Sequence, residues 1–147
     1  MICTKKRLQI STVLIFLILA FIWGNSLMPG EVSQAFSQWV KHVLARLLPG
    51  DFSLVKEGSG LLRKIAHFTE FAALGICLAW RGGMRKKVPH WVFLWGAAAA
   101  ALDETIQCFV PGRGPAVKDV LLDSSGVLTG MLLLYLGHTI LKKRINK

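Results

Sequence analysis

Leu61-Leu62-Arg63-Lys64-Ile65-Ala66-His67-Phe68-Thr69-Glu70-Phe71-Ala72-Ala73-Leu74-Gly75-Ile76-Cys77-Leu78-Ala79-Trp80 is the stretch that decides the fold. As a helix rising ~1.5 Å per residue it matches a hydrocarbon core of ~30 Å. Its second half is apolar. Its first half carries Arg63, His67 and Glu70 at i, i+4 and i+7, which is one helical face. Lys64 borders that face. Charge at such depth costs free energy unless it is paired or solvated, so it marks a site by default.

Three further apolar stretches flank this one, giving predicted spans at about 8–28, 61–80, 91–110 and 119–141. The chain has 147 residues, room for one domain, with 53% hydrophobic residues and a mean hydropathy of +0.50, too apolar for a soluble domain. The formal charge of +10 raises the question of nucleic acid, and its distribution answers it. Lys5, Lys6 and Arg7 precede the first span. Arg81, Arg85, Lys86 and Lys87 lie between the second and third, and Lys142, Lys143, Arg144 and Lys147 follow the last. None of these segments carries Asp or Glu. Short basic flanks stay cytoplasmic, so both termini and the middle loop are predicted inside. A nucleic-acid stripe does not explain that alternation. The expected class is therefore an all-α integral membrane protein with four transmembrane helices and both termini cytoplasmic. The first span is expected to be an uncleaved anchor, since no A-x-A-type site follows Gly24-Asn25-Ser26. Cys3, Cys77 and Cys108 fall at different depths and are not expected to pair.

Between spans one and two, Val32, Phe36, Trp39, Val40, Val43 and Leu47 recur at helical spacing among polar residues. This predicts an amphipathic helix over about 31–48, outside the cytoplasm, bounded by Pro29-Gly30 and Pro49-Gly50. It is expected to rest in the headgroup layer, with a lid over the polar site as the alternative.

The third span ends in Asp103-Glu104-x-x-Gln107, and Pro111-Gly112-Arg113-Gly114-Pro115 then stops the helix. The fourth opens with Lys118-Asp119-x-x-x-Asp123 and continues with Gly126-x-x-x-Gly130, a close-packing pattern. His67 lies about 9 Å, Asp103 about 10 Å and Asp123 about 6 Å from the outer ends of their spans. Three helices thus bring polar groups to one level in the outer half of the bilayer. All eight Asp and Glu residues fall on the outer side of the spans or within their outer halves.

Three chemistries fit. The charges form a structural network, with Asp103 or Asp119 on Arg113 and Glu70 on Arg63 or Lys64. Alternatively, the site binds or modifies a phosphorylated lipid or glycan headgroup. Arg63, Lys64, Gln107, Arg113 and Lys118 would then contact substrate, and His67, Glu70, Asp103, Glu104, Asp119 and Asp123 would supply proton transfer and its orientation. In the third reading those six side chains hold a metal. Neighbouring Arg and Lys oppose a dication and no zinc-type spacing occurs, so no metal or cofactor is assigned. The headgroup reading is preferred; the expected partner is a membrane lipid or lipid-linked precursor, and no oligomeric state is assigned.

Arg63-Lys64-x-x-His67-Phe68-x-Glu70-Phe71-x-x-Leu74-Gly75, Asp103-Glu104-x-x-Gln107-x-Phe109-x-Pro111-Gly112-Arg113 and Lys118-Asp119-Val120-x-x-Asp123-x-x-Gly126 resemble, in order and spacing, three signatures of the VanZ-like membrane proteins. The resemblance covers about residues 61–130. Tyr is common in that family where Phe71 stands, and Asn near Ser124. The resemblance implies a multi-span bacterial membrane protein whose candidate site comprises Lys64, His67, Glu70, Asp103, Glu104, Gln107, Arg113, Lys118, Asp119 and Asp123. The family's namesake is linked to low-level resistance to teicoplanin, a glycopeptide antibiotic.

Overall fold

The computed structural model describes residues 2–47, 59–83 and 90–145. These form five helices and no strand: α1 (Ile2–Ser26), α2 (Gly30–Leu47), α3 (Ser59–Gly82), α4 (His90–Gln107) and α5 (Val117–Ile145). The basic residues Arg85, Lys86, Lys87 and Lys147, the Pro49-Gly50 stop, and Asp51, Lys56 and Glu57 lie outside the described residues.

Two helices, over Lys5–Ser26 in α1 and Val117–Arg144 in α5, are long and apolar enough to cross a membrane. Both present large apolar side chains outward, among them Phe16, Leu17 and Phe21 on α1 and Leu132, Leu133 and Leu136 on α5. A water-soluble protein of this size rarely exposes so continuous an apolar surface. Helix α3 carries four charged side chains in its described length, and α4 spans only 18 residues, about 27 Å.

The helices form a bundle, with α1 and α4 running opposite to α3 and α5, around a small core of Ile22, Phe71, Leu74, Ala79, Val92, Ala100, Val127 and Met131. Helices α3 and α5 share the most extensive interface. Their close approach depends on glycine. A Cβ on Gly130 would run into the Ala72 carbonyl, and one on Gly126 would lie 2.6 Å from the Phe68 carbonyl oxygen. The Gly126-x-x-x-Gly130 stripe therefore receives the backbone of the α3 segment that carries His67 and Glu70.

The connections explain the ends. Pro29 has no N–H to satisfy, and its carbonyl accepts from Ser33 N at 3.0 Å as α2 begins. Gly30 N donates to the Pro111 carbonyl at 3.0 Å, docking the start of α2 on the loop after α4. Helix α4 stops at Gln107, before the 91–110 boundary of its predicted span. Phe109 N and Val110 N bond three residues back, tightening the chain into the turn that Pro111 and Gly112 (φ 74°) complete. At the opposite end of the bundle Arg81 Nη1 donates to the Leu8 carbonyl at 3.2 Å and to the Thr12 hydroxyl, fastening α3 to α1.

Helix α2 buries Ser33 and Ser37 and exposes Val32, Phe36 and Trp39. Phe36 and Trp39 stack with ring centroids 6.0 Å apart. The amphipathic helix thus turns much of its apolar face away from the bundle, an arrangement suited to acyl chains rather than to water.

Candidate functional site

The C-terminal ends of α1 and α4 and the N-terminal halves of α3 and α5 meet at one end of the bundle. Asp103 and Asp123 are 0% and 1% exposed there, and Glu104, Gln107 and Ser26 are buried beside them. Helix periodicity sets this up. Asp103 and Gln107 share the inward face of α4, and Asp123 lies one turn before Gly126 on α5. His67 lies one turn before Phe71, the largest fully buried side chain on α3.

Asp103 is the best-tied carboxylate. Its Oδ2 accepts from Ser26 Oγ at 2.8 Å and from Gln107 Nε2 at 2.9 Å. Gln107 Nε2 also donates to Ser26 Oγ at 3.3 Å. Glu70 Oε1 accepts from Asn25 Nδ2 at 2.9 Å. His67 Nδ1 stands 3.7 Å from Asp103 Oδ2 and 4.0 Å from Asp123 Oδ2, close enough for strong electrostatic coupling and too far for a hydrogen bond. His67, Asp103 and Asp123 can each direct one ligand-type atom so that all lie within 4.8 Å of one another. His67 Nδ1, Glu70 Oε2, Asp103 Oδ1 and both oxygens of Asp123 are buried with no hydrogen-bond partner among the described residues.

Several charges hold the scaffold. Arg113 donates from Nε to the Met28 carbonyl at 3.2 Å and from Nη2 to the Asn25 carbonyl at 2.8 Å. It satisfies the unpaired carbonyls at the end of α1, where a cation also complements the helix dipole. Burial, reinforced by Arg63, lowers its pKa from the usual arginine value, and a guanidinium stays charged even so. Glu104 Oε2 accepts from Ala116 N at 3.0 Å, just ahead of α5, where a carboxylate meets the positive end of a helix. Lys64 Nζ lies 3.7 Å from Asp119 Oδ1. Both side chains are partly exposed, so this pair adds little stability. Lys118 is exposed.

The structural-network pairings expected from sequence are replaced by others. Arg113 bonds backbone carbonyls rather than Asp103 or Asp119, and Glu70 bonds Asn25. Asn25 and Ser26 are site residues that sequence reasoning did not single out. The available signal was an amide and a hydroxyl closing an otherwise apolar span, at the level of the other polar groups. Cys77 and Cys108 are free thiols.

A cavity of about 490 Å³ opens beside this cluster between α1, α2 and α3. Phe21, Val32, Phe36 and Leu62 give it apolar walls, and Arg63, Arg113, His67 and Glu70 line its polar part. A much smaller void of about 10 Å³ adjoins Arg63, Lys64, His67, Glu104, Asp119 and Asp123.

No curated protein and no solved structure matches the chain. The family model described as VanZ/LLP1 matches residues 11–140, which takes in α2, α3 and α4 whole and most of α1 and α5. With nearly the whole bundle inside that match, the chain belongs to the VanZ/LLP1 family.

Proposed function

We propose that this VanZ-like protein crosses the bacterial cytoplasmic membrane four times, with both ends inside. In this proposal it binds an anionic, lipid-linked envelope headgroup in the outer half of the bilayer. The observation that carries the reading is the 490 Å³ cavity between α1, α2 and α3. An apolar trough that ends in two guanidiniums matches an amphiphile with a hydrocarbon tail and a phosphate. Arg63 faces the phosphate, with the unpartnered Nη1 of Arg113 beside it, and Phe21, Val32, Phe36 and Leu62 face the tail. Arginine suits phosphate because its planar fork donates two parallel hydrogen bonds. Helix α2 supplies one wall of the trough from the headgroup layer, which gives it the part of a lid as well as an interfacial helix.

Chemistry on the bound headgroup is a second reading, favoured by the unpaired buried atoms of Glu70 and His67 at the same cavity. Asp103, held by Ser26 and Gln107, would orient His67. A link to teicoplanin tolerance rests on the family's namesake alone.

Native mass spectrometry of the protein, extracted from its own membrane in mild detergent, tests the binding. The wild type is expected to carry an anionic lipid, and Arg63→Gln to retain about tenfold less. A wild type that carries no lipid, or an Arg63→Gln variant that carries the same amount, overturns the reading. Comparison of headgroups in cells with and without the gene decides whether the lipid is also modified.

A further inference from the structure

Asp123 presents an unusual problem. Its side chain is 1% exposed, and neither oxygen has a hydrogen-bond partner among the described residues. Asp103 beside it is fully buried and leaves Oδ1 unpartnered. An isolated buried carboxylate costs several kcal/mol or more, and two in contact cost more still. A cation facing both would remove that cost.

Among the described residues no Lys or Arg lies within ion-pairing distance of Asp103 or Asp123. Lys64 sits against Asp119, and Arg113 spends Nε and Nη2 on the carbonyls of Met28 and Asn25, which leaves its Nη1 unpartnered. His67 is the basic side chain that reaches both aspartates, yet its Nδ1 stands 3.7 and 4.0 Å from them rather than in hydrogen-bond contact. Donors about 2.1 Å from a common tetrahedral ion lie about 3.4 Å apart. The two separations from His67 are near that spacing, and one donor atom from each of the three groups lies within 4.8 Å of the others. The 10 Å³ void against His67 and Asp123 has room for about one water-sized particle.

We propose that His67, Asp103 and Asp123 together bind one divalent first-row metal ion, manganese or zinc, within the bundle. One imidazole with two carboxylates is a donor set for such an ion. Magnesium and calcium prefer oxygen alone, and the cluster has no thiolate for a softer metal. Two carboxylates also balance the charge of a dication in a setting that tolerates little net charge. Ser26 and Gln107 then serve as the outer partners of a ligand: by holding Asp103 Oδ2 they fix its orientation, as ligating carboxylates require. Arg63 and Lys64, which argue against a metal on sequence grounds, line the same void yet form no ion pair with Asp103 or Asp123 among the described residues. His67 becomes a ligand, and Glu70, with Oε2 free at the lipid cavity, remains the acid–base group. The inference stands on the cluster itself and does not depend on the lipid reading.

The test is metal content of the full-length protein, purified in detergent without added lipid, stripped with chelator and dialysed against micromolar manganese or zinc. The expected result is one ion per chain, immobilised in the manganese spectrum by electron paramagnetic resonance. His42→Gln, an exposed site on α2, is expected to bind the same amount. Asp123→Asn is expected to bind at least tenfold more weakly while keeping its helix content by circular dichroism. Asp123 has no hydrogen bond to lose among the described residues, so this variant keeps the test meaningful even if Asp103→Asn, which disturbs Ser26 and Gln107, fails to fold. A wild type with less than a tenth of an ion per chain overturns the proposal, and so does an Asp123→Asn variant that binds like wild type. Neither result bears on lipid retention, which is read separately by mass.

Discussion

At the residue scale the charges divide by what their polar atoms touch. Arg113 (through Nε and Nη2), Glu104 and Gln107 spend theirs on helix ends and on Asp103, whereas Asp123 and the Oε2 of Glu70 have no partner among the described residues. The first set positions; the second is available to a ligand. Arg113 makes the division measurable. Its two bonds to the end of α1 are charge-assisted, and such bonds contribute about 1.5–3 kcal/mol each. Arg113→Ala is therefore expected to destabilise the bundle by about 3 kcal/mol. Arg113→Lys is expected to recover only part of that, because a point charge cannot bridge the carbonyls of Asn25 and Met28 as the fork does. Thermal unfolding in detergent checks both, and an Arg113→Ala protein as stable as wild type excludes the capping role. This role was not legible in the sequence. Pro111-Gly112-Arg113-Gly114-Pro115 announces a stiff turn with a cation at its centre, but the carbonyls it meets lie more than eighty residues earlier. Asn25 and Ser26 were hidden for a related reason: a short polar pair at the end of a span looks like ordinary interface until its partners on α3 and α4 are known.

At the element scale the α3–α5 contact fixes the geometry, because it sets His67 against Asp123. The glycines of α5 differ sharply in what they meet. Gly130 packs against the Ala72 carbonyl, while nothing lies within 4 Å of a Cβ on Gly137. Gly130→Ala is expected to force the two helices apart and lower the unfolding midpoint. Gly137→Ala is expected to be neutral, or to gain up to about 1 kcal/mol from helix propensity. Equal stabilities for the two variants would refute the close approach. The sequence carried much of this: the Gly126-x-x-x-Gly130 spacing marks a packing face, and the 3.6-residue period places Asp123 on roughly that face. The period also locates α2. It cannot give the end of α4, where the three-residue bonds at Phe109 and Val110 draw the chain into a turn while the composition still reads as span.

At the scale of the whole molecule, the depths of His67, Asp103 and Asp123 along their helices were readable by counting residues, and the structure brings these three side chains together. The atoms that pair with each were not readable, since a shared helical face names a direction and not a partner. The exposed apolar belts of α1 and α5, together with membership of the VanZ/LLP1 family, mark a membrane protein. The proposed binding further requires the loop 108–116, which carries Arg113, to lie on the outside of that membrane.

Labelling at Gly114 tests this requirement most directly, since that position is exposed and a side chain there meets open space. In a background with Cys3, Cys77 and Cys108 replaced by Ser, Gly114→Cys is expected to react with a membrane-impermeant maleimide applied to intact spheroplasts. Reaction only after the membrane is broken would put Arg113 and the cluster beside it on the cytoplasmic side, and the outer-leaflet account would fail.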